Sequence, residues 1–552
     1  MNNESRFDRE TTSETSLTSE SETSNRRSFS ISIAAATLST SGFLAFLASC
    51  SRNETDAIST APLPKPFIPN STAKRHQILT HTLPATQQNI HKDTDPEPDP
   101  PAEPIENRSF TIGKMNEETQ INHLLRRAGF GITPSELVYY RQIGLEKTID
   151  HLVNYEAVDN STLDTRLDDL KLKPSVRQSD LRRWWILRMV YTNRPLEEKM
   201  VLFWHGLLTS RISTGDPLSM YQQNELFRAK GYESYVHLLK AISKDPAMLV
   251  WLDSRKNKKN APNENFAREL MELFTMGEGA FEENHVKEAS RAFTGYFLVN
   301  GKYTFNDAQH DFGPKTFLSQ SGHFSGDQII NVIFQQPETA EYISKKLFAF
   351  FAHDSPDTQT IEKLSAILRA NDYHIKTLME HLLSSEEFYS PRAYRSKIKT
   401  PAEFTIGLIR NTGSETDGRK IANLMSEMGQ TLFEPPDVAG WPDGISWISS
   451  NTMIQRLNYV HLITLSNLKG TTFDPKSSIL TTFSNSPEEF LNGCLATMLD
   501  GNISPSSRAI LMAWLRTLEN LTDESGKKVF SNEKIMRQLA FFVLASPEFQ
   551  LS

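Results

Sequence analysis

Gln336-Pro337-Glu338-Thr339-Ala340-Glu341-Tyr342-Ile343-Ser344-Lys345-Lys346-Leu347-Phe348-Ala349-Phe350-Phe351 reads as a helix from its first turn. Proline fits the first helical position because its missing N–H would have no partner there. Glu338 and Glu341 sit near the positive helix end, and Lys345 and Lys346 follow toward the negative one. Ile343, Leu347, Phe348, Phe350 and Phe351 supply the apolar face. Comparable patterns recur at 178–192, 195–209, 233–252, 282–294, 358–370, 374–385, 449–467 and 532–545. Strand signals are few. The best is Tyr296 to Phe305, where Asn300-Gly301 separates Phe297-Leu298-Val299 from Tyr303-Thr304-Phe305 as a hairpin turn would. The expected fold is mainly α: a large multi-helix domain with a small β-hairpin and long Pro/Gly-rich loops.

The chain has 552 residues, 38% hydrophobic and 23% charged, enough for one large domain or two average ones. Its net charge of -8 gives no basic footprint, which argues against nucleic acid as a partner. The two cysteines, Cys50 and Cys494, are too few for a zinc cluster or a disulfide framework. Cys494 lies in an apolar run, Phe490-Leu491-Asn492-Gly493-Cys494-Leu495, where a buried, inert thiol is expected.

The amino-terminal region reads as an address. Arg26-Arg27 precede a modestly apolar run from Ile31 to Leu47, which ends at Leu47-Ala48-Ser49-Cys50. That run is too short and too polar to span a membrane. A positive region, a short apolar region and a small-residue cleavage site make a secretory signal. The paired arginines resemble a twin-arginine signal, and Leu-Ala-Ser-Cys resembles a bacterial lipobox in which Cys50 becomes lipidated. Six acidic residues, Glu4, Asp8, Glu10, Glu14, Glu20 and Glu22, stand before Arg26 and are unusual there. Residues 51–111 carry Ser, Thr, Asn and Pro and include Asp95-Pro96-Glu97-Pro98-Asp99-Pro100. Alternating acid and proline keep such a stretch extended, so it is expected to be a disordered acidic tether. The expected organisation is a signal segment with lipobox at 1–50, the tether at 51–111 and a helical domain at 112–552.

No H-E-x-x-H, paired C-x-x-C, G-x-S-x-G or P-loop occurs, so function must be sought in polar clusters. On a helix over Asn263 to Phe274, Phe266, Leu270, Leu273 and Phe274 share one face, while Glu264, Asn265, Arg268 and Glu272 gather opposite. Either this is a solvated face laced with i,i+4 ion pairs, or Glu264, Glu269 and Glu272 serve as acid, base or metal ligand and Arg268 binds an anion. Phe305-Asn306-Asp307-Ala308-Gln309-His310-Asp311-Phe312-Gly313-Pro314-Lys315 follows the hairpin without helical period. Here His310 is suited to proton transfer, Asp311 to orienting it or binding a metal, and Lys315 to holding an anion. The alternative is a loop pinned by side chain to backbone bonds. From Gly429 to Trp447, Pro435, Pro436 and Pro442 together with glycines forbid a helix. Trp441 and Trp447 are suited to stacking on a sugar ring or peptide, or else to plugging the core, with Asp437 and, beyond the Ser449 cap, Arg456 as further ligand contacts. His205, within Lys199-Met200-Val201-Leu202-Phe203-Trp204-His205-Gly206, reads as a hydrogen-bonded core residue.

Taken in order, these stretches resemble a large bacterial family known as domain of unknown function 1800 (DUF1800). The resemblance runs through His123 to Gly131, Phe203-Trp204-His205, Asn263 to Gly277, Arg291-Ala292-Phe293-Thr294-Gly295, His310 to Lys315, Lys399-Thr400-Pro401-Ala402-Glu403 and Gly429 to Asn458, within about residues 115 to 552. It implies an exported, mainly helical protein, with an exported sulfatase-like protein encoded nearby as partner, and it brings no activity with it. Some members carry H-x-H where this chain has His205-Gly206-Leu207, a departure that weakens a two-histidine metal site. Cofactor and metal are left unassigned. The functional expectation is a protein lipid-anchored through Cys50 on the extracytoplasmic side of a membrane. It acts there as a hydrolase-like enzyme or enzyme partner on an envelope polymer or ester, with His310, Asp311, Glu264, Arg268, Glu269 and Glu272 converging in one cleft. The alternative is a non-catalytic scaffold or binding module that docks through Trp441 and Trp447. Whether the chain is an enzyme stays open at this point.

Overall fold

A computed structural model describes residues 115–466, 468–478, 486–518 and 532–552. The expected signal segment with Cys50 and the tether at 51–111 lie outside the described residues. Described residues are mainly helical, with small two-stranded antiparallel sheets. Pro134, Pro195, Pro217, Pro246, Pro337, Pro401 and Pro487 each stand in the first turn of a helix. Proline thus sets where these helices begin, for the reason that made 336–351 legible. That helix spans Pro337–Phe351 and packs against Thr358–Ala370. Glu117–Arg127 likewise packs against Pro134–Val153, and Ser450–Thr464 against Glu533–Ala545. No described helix is long and apolar enough to cross a membrane.

The pattern at 233–252 resolves into two helices rather than one, Tyr235–Ile242 and Pro246–Trp251. Pro246 cannot donate into a continuing helix, and Asp245 instead accepts the Met248 amide at 3.0 Å and caps a fresh start. The hairpin forms as read: Tyr296–Val299 pairs with Lys302–Phe305, Tyr296 opposite Phe305. Asn300 and Gly301 both take positive φ, 51° and 73°, as its two-residue turn requires. Two further small sheets, Lys315–Phe317 with Gln320–Gly322 and Glu415–Thr416 with Thr471–Thr472, were not foreseen.

The core runs continuously from Ile121 to Phe549. Trp185, Trp204, Tyr235, Phe274 and Phe293 are wholly inside it, and large side chains each contribute about 1.5–3 kcal/mol by leaving water. Cys494 is buried there too; burial pushes its thiol up to about 12, so it stays protonated and inert.

Buried cations tie chain segments together through backbone carbonyls. Arg127 donates to the carbonyls of Phe350, Phe351 and Ala352 at 2.8–3.1 Å, closing the carboxyl end of the Pro337–Phe351 helix. In Leu382 to Tyr389 and again in Val543 to Gln550 a helix runs out into a buried phenylalanine. The Phe388 carbonyl accepts from the His123 ring at 2.9 Å, and the Phe549 carbonyl accepts from Lys399 at 2.8 Å.

Candidate functional site

The stretch Asn263 to Gly277 is not one regular helix. An α-helical turn over Asn265–Glu269 passes into a π-helix over Leu270–Thr275. Wide turns of this kind leave carbonyls that need outside donors. Two tyrosines supply them: Tyr342 donates to the Leu273 carbonyl at 2.6 Å and Tyr235 to that of Phe274 at 2.5 Å. Gly277 ends the segment at φ +84°, and a Cβ there would stand 3.2 Å from the Tyr342 ring. Of the expected polar face, Arg268 bonds Glu264 at 3.1 Å and also pairs with Glu283 on a solvent-accessible surface. Glu269 is half-buried, and burial with the nearby Glu272 charge raises its carboxyl above the usual range.

The loop after the hairpin is held by bonds within itself and to its neighbours. His310 is buried; its Nδ1 lies 2.8 Å from the Thr294 carbonyl, and its ring packs between Phe305 and Phe312. Asp311 accepts from Arg291 at 2.7 Å and from the Gly313 amide at 2.8 Å; the Arg291 bond leads in holding its carboxyl below the usual value. The Lys315 ammonium donates to the carbonyls of Asp311 and Gly313 at 2.6 and 3.1 Å, and burial lowers its pKa. Among the described residues, no recorded hydrogen bond joins His310 to Glu264, Glu269 or Glu272, and no group of three His, Cys, Asp or Glu is gathered to hold a metal.

A cavity of about 480 Å³ lies elsewhere, and the Pro/Gly segment makes one of its walls. Trp441, Pro442, Asp443, Gly444 and Trp447 line it on that side. Phe203, Gly206 and Leu207 come from the Pro195–Leu207 helix; Tyr342, Lys345, Lys346 and Phe350 come from Pro337–Phe351. Thr400 and Glu403 open the Pro401–Asn411 helix beside Lys397. The Pro/Gly segment is strapped in place: the Thr209 hydroxyl bonds the Val438 carbonyl at 2.9 Å, and the Ile212 amide bonds that of Phe433 at 2.9 Å. Gly440 is required where it stands, since a Cβ there would come within 2.3 Å of the Gly206 carbonyl oxygen.

The charges around this cavity are sharply sorted. Glu403 is its most tightly held group. One oxygen pairs with the fully buried Lys199, and the other accepts the Thr400 amide at 2.8 Å in a capping box. Burial alone would raise this carboxyl, but Lys199 and Arg127 outweigh it and hold it at about 2. His205, behind Trp441 with ring centroids 5.3 Å apart, is lowered to about 3 by burial and so is neutral. Its Nε2 has no hydrogen-bond partner, in place of the satisfied core histidine expected. Asp443 keeps contact with solvent at the mouth, though the enclosing walls still raise its carboxyl.

Of the expected ligand contacts, Trp441 and Trp447 meet at this cavity, whereas Asp437, Arg456 and Lys315 are not part of its lining. Asp437 folds onto its own turn, accepting the Ala439 amide at 2.9 Å. Arg456 is fully buried and spends its guanidinium on the Lys399 carbonyl at 2.7 Å and on Gln550. Sequence reasoning passed over Tyr342, Lys345, Lys346, Lys397, Glu403 and Asp443 as site residues. Thr400-Pro401-Ala402-Glu403 carried a signal, the T-x-x-E spacing of a capping box, but nothing local pointed to Lys199 as the second partner.

Residues 123–551 match the family described as "Protein of unknown function (DUF1800)". No curated protein and no solved structure matches the chain.

Proposed function

The chain belongs to the DUF1800 family, and for this member we propose an exported, lipid-anchored protein that binds a polymer of the cell envelope in the cavity between Trp441, Trp447 and Lys346. One observation carries the binding half. Three stretches through which the sequence resembles its family, around Phe203, Thr400 to Glu403 and Gly429 to Trp447, contribute walls to a single aromatic-lined cavity. Its size falls within the range of ligand sites. The export half is supported by Arg26-Arg27, the apolar run ending at Cys50 and the Pro-rich stretch after it. On this reading the partners are a membrane, through lipid on Cys50, and an exported sulfatase-like protein.

Two measurements test the two halves separately. Full chain should sediment with insoluble envelope material while Trp441→Ala stays in the supernatant; equal sedimentation of both removes the binding half. Labelled palmitate should enter the full chain and not Cys50→Ala, and labelling of that variant removes the anchor.

A hydrolase is the second reading, with His310, Asp311, Glu264, Glu269 and Glu272 as its catalytic groups. What favours it is Glu269, whose raised carboxyl is shifted in the direction a general acid needs. Glu269→Gln should then abolish turnover of p-nitrophenyl acetate; unchanged turnover leaves the binding reading alone.

A further inference from the structure

The cavity's polar groups divide into those already committed and those still free, and the free ones nearly all donate. Both oxygens of Glu403 are engaged, by Lys199 and by the Thr400 amide. Lys397 is paired with Asp354. Lys345 and Lys346 differ: they are exposed, neighbouring residues on the Pro337–Phe351 helix, and among the described residues no carboxylate forms an ion pair with either. Lys346 lies 5.3 Å from the centroid of the Tyr342 ring. Trp447 is more tightly enclosed. It is only 3% exposed, lines the cavity, and its indole N–H has no hydrogen-bond partner. The Asp443 carboxyl makes no side-chain hydrogen bond or ion pair among the described residues, and Lys397 and Lys346 stand among its charged neighbours.

Two exposed ammonium groups call for a ligand that carries negative charge. The walls demand something more than a bare anion. Phe203, Phe350, Tyr342, Trp441 and Trp447 present apolar and aromatic surface that an inorganic ion would leave unfilled. We propose that the cavity recognises a carboxylate-bearing sugar of an acidic polysaccharide, its ring lying against Trp441 and its carboxylate facing Lys345 and Lys346. This rests on the binding reading above and names the class of ligand for it. Lysine suits the task, since its ammonium is a mobile point charge that can follow successive acidic units along a chain.

The test titrates the full chain with trigalacturonate, with uncharged galactotriose and with inorganic phosphate, followed by calorimetry and tryptophan fluorescence. Trigalacturonate should bind, quench the tryptophans and weaken as salt is added. The Lys345→Gln/Lys346→Gln double variant should lose about tenfold or more in affinity at an unchanged melting temperature, because both side chains are exposed. Trp441→Ala, which removes the accessible ring, should bind several-fold more weakly. Equal affinity for galactotriose, or no effect of the lysine substitutions, overturns acid recognition while sedimentation with envelope material still upholds the binding site. Phosphate binding alone overturns the sugar. Failure of trigalacturonate together with indifference of sedimentation to Trp441→Ala overturns both readings at once.

Discussion

The loop around His310 and the cavity beneath Trp447 each gather charged and aromatic side chains, yet they dispose of them in opposite ways. In the loop, the His310 ring faces the Thr294 carbonyl, Asp311 takes Arg291, and Lys315 donates to two carbonyls of the loop itself. Those groups hold the loop's shape. In the cavity, Glu403 is likewise consumed, but Lys345, Lys346 and the Trp447 N–H remain uncommitted. Residue types that suggest chemistry in a sequence therefore separate in the structure by whether their bonding capacity is already used.

The largest expected effect comes from the committed pair at the cavity floor. Lys199→Met leaves Glu403 buried without its cation and should cost about 3–5 kcal/mol in denaturant unfolding, compared with wild type. The same pair sets a limit in acid. Glu403 is held at about 2 when folded, below its ordinary value, so its contribution is complete above that ordinary value and drains away as pH falls toward 2. Glu403→Gln should flatten the acid limb of a stability-against-pH curve; an unchanged limb shows that other carboxylates set it.

His310→Ala sharpens the contrast directly. It removes the ring from between Phe305 and Phe312 and its bond to Thr294, and should cost about 1–3 kcal/mol while envelope binding is unaffected. Lost binding or turnover at full stability would reverse the comparison and return the loop to the active site. Gly277→Ala should lower stability by about 1–2 kcal/mol, from its positive φ and the nearby Tyr342 ring, and the same ring shift should perturb the cavity. Arg268→Ala is the smallest: its partners are largely solvent-accessible, so no measurable change in melting temperature is expected.

Much of the fold was legible because its signals are local. Proline at a first turn, Asn300-Gly301 between apolar residues and Ser449 before a helix each fix backbone geometry within a few residues, and each does so here. The π segment was not legible, since its wide turn depends on hydroxyls from Tyr235 and Tyr342, distant in sequence. Trp441 and Trp447 stood out as aromatics in a segment whose prolines and glycines were expected to exclude any helix, although a short 3-10 turn forms over Gly444–Trp447, with Pro442 just outside it. Lys345 and Lys346 read only as charges suited to a helix end, because periodicity tells which way a side chain faces and not what stands across from it. Arg456 shows the converse: a guanidinium fit for a ligand is enclosed by Lys399 and Gln550, contributed from elsewhere in the chain.

The wide turn at Leu270–Thr275 has a consequence for how such a chain tolerates changes of length. It accommodates more backbone per turn than a regular helix, and the two tyrosine hydroxyls pin the surplus where it lies. Loss of a single codon there would remove that surplus and let the stretch close as an ordinary helix, with the residues beyond it still in register. Gly277 would keep its place, but the carbonyls of Leu273 and Phe274 would turn to helix amides and leave the hydroxyls of Tyr342 and Tyr235 without acceptors. A one-residue loss is therefore absorbed within this single turn, whereas the same loss in a regular helix would rotate everything beyond it by about 100°.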